Sequence, residues 1–245
     1  MHLIKLNATA STNSYLKELY LTKKVVDFTT VQAKEQSNGR GQMGTSWQSD
    51  AGKNLTFSVL KLHDNVKVQC QFSLTMLVSN VVLSVLREFN IPDIAIKWPN
   101  DIMAGNRKIC GILIENMVSG IQLQASVIGI GLNVNQLKFK ALPKVTSMKL
   151  ETGTHFNLDE LLVVLVQRLK EFFETFEKDA NTFVSLKQPY ESALFRKNKP
   201  STFKAADGSL FMGFIQEVSH DGKLVVRLED EIVKEFDLKQ LQLLY

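Results

Sequence analysis

The chain has 245 residues, of which 44% are hydrophobic, and it carries a formal net charge of +4 and two cysteines. This length and composition supply a full hydrophobic core, and the scattered lysines argue against a DNA-binding face, so a globular fold without disulfides is predicted. The isolated Cys70 and Cys110 indicate a reduced, cytoplasmic protein, with no signal peptide and no apolar run long enough to span a membrane.

The first part of the chain is predicted to form three strands, a helix and a long loop. Residues 3–7 alternate apolar and polar side chains, and Ser11-Thr12-Asn13 form a turn that leads into a helix over residues 14–20. Residues 25–34 and 54–62 are predicted to be strands. The polar, glycine-bearing segment between them is long enough to be a functional loop.

The middle of the chain is predicted to contain a buried helix and an antiparallel sheet. Apolar residues at helical spacing over residues 74–89 predict the helix, and strands follow at residues 94–98, 107–117 and 121–134. Because short turns join these strands, they must run antiparallel, which excludes the parallel sheet of a dinucleotide-binding domain. The oligomeric state stays open between monomer and homodimer: strand 121–134 would pair across a dimer if it lay at a sheet edge.

The last part of the chain is predicted to form a long helix and a small β module. Asn157 and Glu160 resemble a capping box, and an apolar stripe over residues 158–176 predicts the helix. After residue 196 the chain changes to short strands with turns at residues 207–208 and 220–223. We therefore predict an α+β protein with two domains, residues 1–195 and residues 196–245.

The loop GRGQMGTSW, residues 39–47, matches two phosphate-binding patterns incompletely. No helix follows the third glycine of its G-x-G-x-x-G, as dinucleotide binding requires, and Thr45 stands where a nucleoside triphosphate loop needs lysine. Nor does the chain contain the H-R-D and D-F-G sequences of a protein kinase. Glycines beside Arg40 and Trp47 suit an anionic ligand with an aromatic ring. A flexible surface loop that binds no ligand explains the same residues equally well.

Three further segments carry polar or glycine residues at strand ends. Asn100 and Asp101 follow a rigid turn in KWPND, where the carboxylate would either bind a metal or cap the turn. Lys108 opens an apolar strand, and Gly129 and Gly131 alternate along another, which clears one face for a ligand.

The ordered set GRGQMGTSW, KWPNDI, RKICGILIE and IGIGLNVN, with the early STN and the Gln32 of VQAKEQ, resembles biotin protein ligases. The resemblance covers most of residues 1–135, and the C-terminal module is similar, with less specific residues, to that family's SH3-like β-barrel. It implies a biotin/lipoate ligase-like catalytic domain with a mixed, largely antiparallel sheet and packed helices.

The resemblance implies the activity of a biotin–[acetyl-CoA-carboxylase] ligase. Such an enzyme activates biotin with ATP and Mg²⁺ to biotinyl-5′-AMP and transfers biotin to a lysine of a biotin carboxyl-carrier protein. Arg40 and Lys108 match the catalytic positions, because attack of a carboxylate on a phosphate requires both anions to be neutralised. DNA and membrane partners are not expected.

The resemblance also assigns binding residues. Positions that match biotin contacts are Ser11, Thr12, Asn13, Gln32, Gly39, Arg40, Gly41, Gln42, Lys108, Gly129 and Gly131. Positions that match ATP or adenylate contacts are Thr45, Trp47, Asn100, Asp101, Lys108 and Asn133, with Asp101 as the metal ligand.

Two departures and three alternatives accompany this assignment. Many family members carry arginine where this chain has Gln42, and arginine or asparagine where it has Thr45, so weaker retention of the adenylate is expected. A lipoate or octanoate transferase is the alternative enzyme, although KWPND and the GRG loop together argue against it. A repressor needs a helix-turn-helix ahead of the STN turn at residue 11, where we expect none, and the intact Arg40, Asp101 and Lys108 disfavour an inactive scaffold.

Overall fold

The computed structural model describes residues 2–139, 142–176 and 182–245. Its first sheet contains seven strands: β1 (Leu3–Thr9), β2 (Thr30–Gln36), β3 (Leu55–Lys67), β4 (Ile94–Lys97), β5 (Asp101–Ala104), β6 (Arg107–Ser119) and β7 (Gln122–Leu132). Their order is β1-β2-β3-β7-β6-β5-β4. Strands β1 and β2 pair in parallel and all other neighbours are antiparallel, which confirms the mixed, largely antiparallel sheet.

Helices cover both faces of this sheet. They are α1 (Thr12–Thr22), α2 (Gln71–Glu88), α3 (Met148–Thr152), α4 (Leu158–Phe176) and α5 (Thr182–Ser192). Alternation along β3 separates two cores, because Phe57 and Val59 pack with α2 and α4, whereas Leu60 packs with Leu16 of α1. Residues at odd positions 125–131 of β7 share the face of Leu60, so this face carries α1 and the alternating glycines.

Several element boundaries differ from those predicted. Strand β2 begins at Thr30 because Asp27 and Phe28 form a turn: one Asp27 carboxylate oxygen accepts the N–H of Phe28 at 3.0 Å and that of Leu62 at 2.7 Å. Strand β5 and the helices α3 and α5 were not predicted. Strand β5 has four residues, too few for alternation to be recognised, and α5 contains Pro189, which reads as a helix breaker.

The edge position considered for residues 121–134 is wrong. Strand β7 lies inside the sheet, paired with β3 on one side and β6 on the other. The periodicity of a strand gives its faces but not its neighbours, so the sequence could not reveal this.

A second antiparallel sheet follows α5. Its strands are β8 (Pro200–Ala205), β9 (Leu210–Val218), β10 (Leu224–Leu228), β11 (Val233–Phe236) and β12 (Leu241–Leu244), in the order β11-β10-β9-β8-β12. The turns at residues 207–208 and 220–223 are as predicted, with Gly208 and Gly222 at φ of 89° and 84°. In the described chain the edge strands β11 and β12 do not pair, so the predicted barrel is an open sheet.

The two sheets share one continuous core. Phe203, Ile215 and Leu224 of the second sheet belong to the same buried cluster as α2. A Cβ atom on Gly222 would overlap the ring of Phe72, and the indole N–H of Trp98 donates to the Gly222 carbonyl at 2.9 Å. The division into residues 1–195 and 196–245 stays a prediction.

One helix corrects the expectation that no apolar stretch is long enough for a membrane span. Within the described residues, Val68–Glu88 is long and apolar enough by length and composition, and 61% of its apolar window is buried in the fold. A core helix of a globular domain can meet the same criterion of length and composition, and most of α2 is buried in the fold.

Candidate active site

A cavity of about 390 Å³ lies on the α1 face of the first sheet, where the predicted motifs meet. Its walls come from the start of α1, the glycine loop 39–47, the turn between β4 and β5, and strands β6 and β7. The predicted site residues that line it are Ser11, Thr12, Asn13, Arg40, Gly41, Gln42, Thr45, Trp47, Asn100, Asp101, Lys108, Gly129 and Gly131.

Three predicted residues do not line this cavity. Gln36, not Gln32, reaches its wall; both share one face of β2, and alternation alone cannot tell which of them meets the glycine loop. Gly39 begins the loop, and its carbonyl accepts the N–H of Trp47 at 2.9 Å. Asn133 is buried, with its N–H bonded to the Ile109 carbonyl at 2.9 Å.

A chain of short polar side chains forms one wall. The Gln36 side-chain oxygen accepts the backbone N–H of Thr12 at 2.8 Å and its hydroxyl at 3.1 Å. The hydroxyl of Ser58 lies 2.7 Å from the Thr12 hydroxyl and 2.6 Å from the Asn13 amide oxygen. Ser11 occupies the N-cap of α1 without a side-chain cap bond, so its hydroxyl is not used by the helix. This wall therefore presents donors and acceptors of fixed orientation.

Glu115 joins this wall to the glycine loop. One of its carboxylate oxygens accepts the Asn13 amide at 2.9 Å and the Arg40 guanidinium at 2.5 Å. Arg40 is thereby held over the cavity although it lies on a loop. Sequence reasoning missed Gln36, Ser58 and Glu115; the signal for Glu115 was a carboxylate directly after the apolar run of residues 109–114, on the same face of β6 as Gly111.

Glycines form the floor of the cavity. A Cβ atom on Gly131 would lie 2.5 Å from the Trp47 indole, and one on Gly129 would overlap the Asn13 amide. A Cβ atom on Gly111 would lie 3.2 Å from the Trp47 ring and 3.1 Å from the Lys108 ammonium. Alternating glycines therefore let flat groups lie directly on the sheet backbone.

The glycine loop itself is a tight hairpin. The N–H of Gly41 donates to the Thr45 carbonyl at 2.7 Å, and the Thr45 hydroxyl donates to the Gln42 carbonyl at 2.8 Å. Residues Met43 and Gly44 make the turn with φ of 54° and 78°. The glycines thus close the hairpin on itself, and the side chains of Arg40, Gln42 and Trp47 line the cavity.

Cationic groups gather where strands β4 and β6 meet the cavity. The Lys108 ammonium lies 2.6 Å from an Asp101 carboxylate oxygen and 5.7 Å from the centroid of the Trp47 ring. Asn100 donates its side-chain amide to the Ile112 carbonyl, which fixes the turn that presents Asp101. Burial lowers the pKa of Lys97, which also lines the cavity, and the nearby Asp101 carboxylate opposes that effect.

Covalent catalysis by cysteine does not fit this site. Cys110 is fully buried, and burial raises the pKa of its thiol far above the ordinary value, so it stays protonated. Within the described residues there is also no cluster of three or more His, Cys, Asp and Glu side chains that would hold a metal without help from a ligand. The arrangement instead suits an anionic ligand held between Arg40 and Lys108, with a flat ring near Trp47.

Comparison with known proteins identifies the family of the chain. Residues 6–133 match the biotin/lipoate A/B protein ligase family. The bifunctional ligase/repressor BirA of Bacillus subtilis is 34% identical over 135 residues, which is 55% of this chain but only 41% of that protein. The biotin–[acetyl-CoA-carboxylase] ligase of Paracoccus denitrificans is 27% identical over 225 residues, covering 89% of this chain and 91% of the relative.

Solved structures give the same fold over the whole chain. A mutant biotin protein ligase from Aquifex aeolicus in complex with biotin has a TM-score of 0.79 and 25% identity, covering 100% of this chain and 98% of that one. The same Aquifex enzyme in complex with biotin and ATP has a TM-score of 0.79 and 24% identity, covering 99% and 98%. Since the family match spans more than half of the sequence and includes the cavity motifs, the chain belongs to the biotin/lipoate A/B protein ligase family.

Proposed function

We propose that the protein is a biotin protein ligase that forms biotinyl-5′-AMP from biotin and ATP and transfers biotin to a lysine of a carrier protein. The observation that carries this proposal is the placement of Arg40 and Lys108 around one cavity with a polar wall and the Trp47 ring. The Paracoccus relative, which is aligned over nine tenths of both chains and named a biotin–[acetyl-CoA-carboxylase] ligase, favours biotin over lipoate as the substrate.

The polar wall is suited to the ureido ring of biotin. That ring is compact and carries both donors and acceptors, which match the hydroxyls of Ser11 and Thr12 and the amides of Asn13 and Gln36. Each buried hydrogen bond of this kind contributes about 0.5 to 1.5 kcal/mol. Because Gly129 has no side chain, the Asn13 amide can lie directly against the sheet and remain part of this wall.

The two cations are suited to the first reaction. The biotin carboxylate attacks the α-phosphorus of ATP, so that a carboxylate–phosphorus bond forms, the bond to the β-phosphate breaks and pyrophosphate leaves. Repulsion between the two anions opposes this attack, and Arg40 and Lys108 reduce that repulsion by placing positive charge beside both groups. The Trp47 ring offers a stacking face to the adenine, and the hairpin of residues 39–47 covers the anhydride against water.

Asp101 fits the role of a magnesium ligand. One of its oxygens contacts Lys108, and a single carboxylate at the cavity wall is typical of Mg²⁺ sites in which substrate phosphates supply the other ligands. When bound, Mg²⁺ would offset the charge of the phosphates. Asp101 also orients the Lys108 ammonium toward the same space.

In the second reaction, the amine of an acceptor lysine attacks the acyl carbon of the anhydride. An amide bond forms, the acyl–oxygen bond breaks, AMP leaves with the bonding electrons, and the proton lost by the amine passes to water. We propose the biotin carboxyl-carrier protein of acetyl-CoA carboxylase as the acceptor, in the cytoplasm, where this carrier and a chain with two free thiols would both reside.

One incubation tests the proposal and separates the alternatives. The full chain is mixed with ATP, Mg²⁺ and a biotin carboxyl-carrier domain, with biotin in one reaction and lipoate in another, and the mass of the carrier is measured. A mass increase equal to one biotinyl group, present only with biotin and ATP, is expected. A lipoyl adduct, or an unmodified carrier in both reactions, would overturn the assignment.

A further inference from the structure

Tyr245, which follows β12 in the second sheet, contacts Lys97, one of the residues that line the active-site cavity. Its ring centroid lies 4.9 Å from the ammonium nitrogen of Lys97 and 4.4 Å from that of Lys144. The Phe195 ring packs edge-on against it with a centroid distance of 5.2 Å, which fixes its orientation. One aromatic ring thus contacts two lysines that are far apart in sequence.

Both lysines are placed by backbone pairing beside the catalytic cations. Lys97 ends β4 and is the register partner of Asp101, and Lys97 lines the cavity. The N–H of Lys108 donates to the Lys144 carbonyl at 2.8 Å, which sets Lys144 alongside the first residues of β6. Lys97 and Lys108 therefore both lie beside Asp101, and Lys144 lies beside Lys108.

This group of charges has an excess of cations. Asp101 is already paired with Lys108, and among residues 2–139, 142–176 and 182–245 no carboxylate lies within ion-pair distance of the Lys97 ammonium. The Lys97 ammonium instead contacts the face of the Tyr245 ring, which is a weak cation–π interaction. An anion can therefore bind Lys97 without first breaking an ion pair. A polyphosphate is an anion whose several negative charges fit several neighbouring lysines beside the cavity.

We propose that Tyr245 holds Lys97 through its ring, and Lys144 through its ring and its main-chain oxygen, as a cation pair that binds the β- and γ-phosphates of ATP and the pyrophosphate released from them. Naming ATP rests on the proposed function, whereas binding of a polyphosphate does not. Tyr245 is a positioning residue in this arrangement: it contacts the two ammonium groups and not the reacting atoms. The second sheet thereby contributes to nucleotide binding through one side chain.

Direct titration of the full chain with inorganic pyrophosphate tests this pair independently of ligase activity. Tyr245→Leu removes the aromatic face and is expected to weaken pyrophosphate binding about threefold to tenfold, while Tyr245→Phe retains it. The matched control is Phe214→Leu, which removes a ring 4.7 Å from the Arg227 guanidinium, away from the cavity, and leaves binding unchanged. In the ligase assay, Tyr245→Leu should raise KM for ATP by the same factor and leave KM for biotin unaltered.

The outcomes separate the two proposals. Unchanged pyrophosphate affinity in Tyr245→Leu, or equal losses in Tyr245→Phe or Phe214→Leu, would overturn the role of the ring, even if the wild type biotinylates its carrier. If Tyr245→Leu lowers the melting temperature, Lys144→Gln is measured instead, because Lys144 is exposed. An unchanged pyrophosphate affinity of Lys144→Gln would overturn the cation pair. A wild type that binds pyrophosphate without labelling a carrier would contradict only the ligase assignment.

Discussion

The side-chain amide of Asn13 occupies the space that a Cβ atom on Gly129 would fill. Asn13 is in turn fixed by its bonds to Ser58 and to Glu115 at 2.6 Å and 2.9 Å, so it cannot move aside without breaking the polar wall. The early STN turn and the late glycine strand are therefore complementary in size. This contact joins two motifs that are more than a hundred residues apart in the sequence.

Substitution of Gly129 tests that complementarity. Gly129→Ala should lower the free energy of unfolding by about 1 to 3 kcal/mol, because the added methyl overlaps a buried amide. It should also raise KM for biotin, since Asn13 is displaced. Chemical denaturation and initial-rate kinetics measure the two effects.

A double substitution provides the control for this contact. In the Asn13→Ala background the space beside Gly129 is empty, so adding Gly129→Ala should cost much less stability than it does in the wild type. Equal costs in both backgrounds would show that the overlap is not the cause.

Lys108 is expected to be indispensable for adenylation. Lys108→Ala removes the ammonium that Asp101 holds at 2.6 Å and should lower the rate of carrier labelling at least about a hundredfold. Its backbone bonds to residues 144 and 146 remain, so the circular dichroism spectrum and melting curve should change little. The neighbouring Arg107→Ala, whose side chain bonds Glu151 outside the cavity, should keep near-normal activity. Retained labelling in Lys108→Ala would remove Lys108 from the catalytic residues.

Gln42 is expected to set how long the adenylate stays bound. It lines the cavity but carries no charge, so Gln42→Arg should slow release of biotinyl-5′-AMP severalfold by adding a cation beside the phosphate. Rapid dilution of the loaded enzyme into unlabelled biotin measures that rate. Gln48→Arg adds the same charge at an exposed position outside the cavity and serves as the control. Identical release from wild type and Gln42→Arg would disprove this role.

His63 is expected to make the fold less stable in acid. Burial, with a smaller contribution from Lys61, lowers the pKa of His63 from 6.5 to about 4. The unfolded chain therefore takes up this proton at a higher pH than the folded protein does, and stability falls as the pH drops from about 7 to about 4. The loss attributable to this residue is on the order of 3 kcal/mol.

Unfolding at several pH values checks this expectation. His63→Gln should flatten the dependence between pH 7 and pH 4, whereas the same substitution at the exposed His155 should leave it unchanged. If both variants keep the slope of the wild type, another group is responsible for the acid sensitivity.

Much of the fold could be predicted from local patterns. The apolar periodicities of α2 and α4 and the short turns between β4 and β7 depend on residues close in sequence, and the structure confirms them. Strand order was not predictable in the same way. Strand β7 pairs with β3, about sixty residues earlier in the chain, and no spacing within either strand records that choice.

The sequence by itself determined which motifs belong to the site, because the glycine loop with Arg40, the KWPND turn, Lys108 and the alternating glycines follow one another in this order along the chain. Only the tertiary structure decided which side chains meet there. Gln36 reaches the cavity in place of Gln32, Glu115 holds Arg40, and Tyr245 contacts Lys97 and Lys144. The physical reason is that such contacts depend on strand order, register and the packing of one sheet against the other, none of which a local pattern of residues encodes.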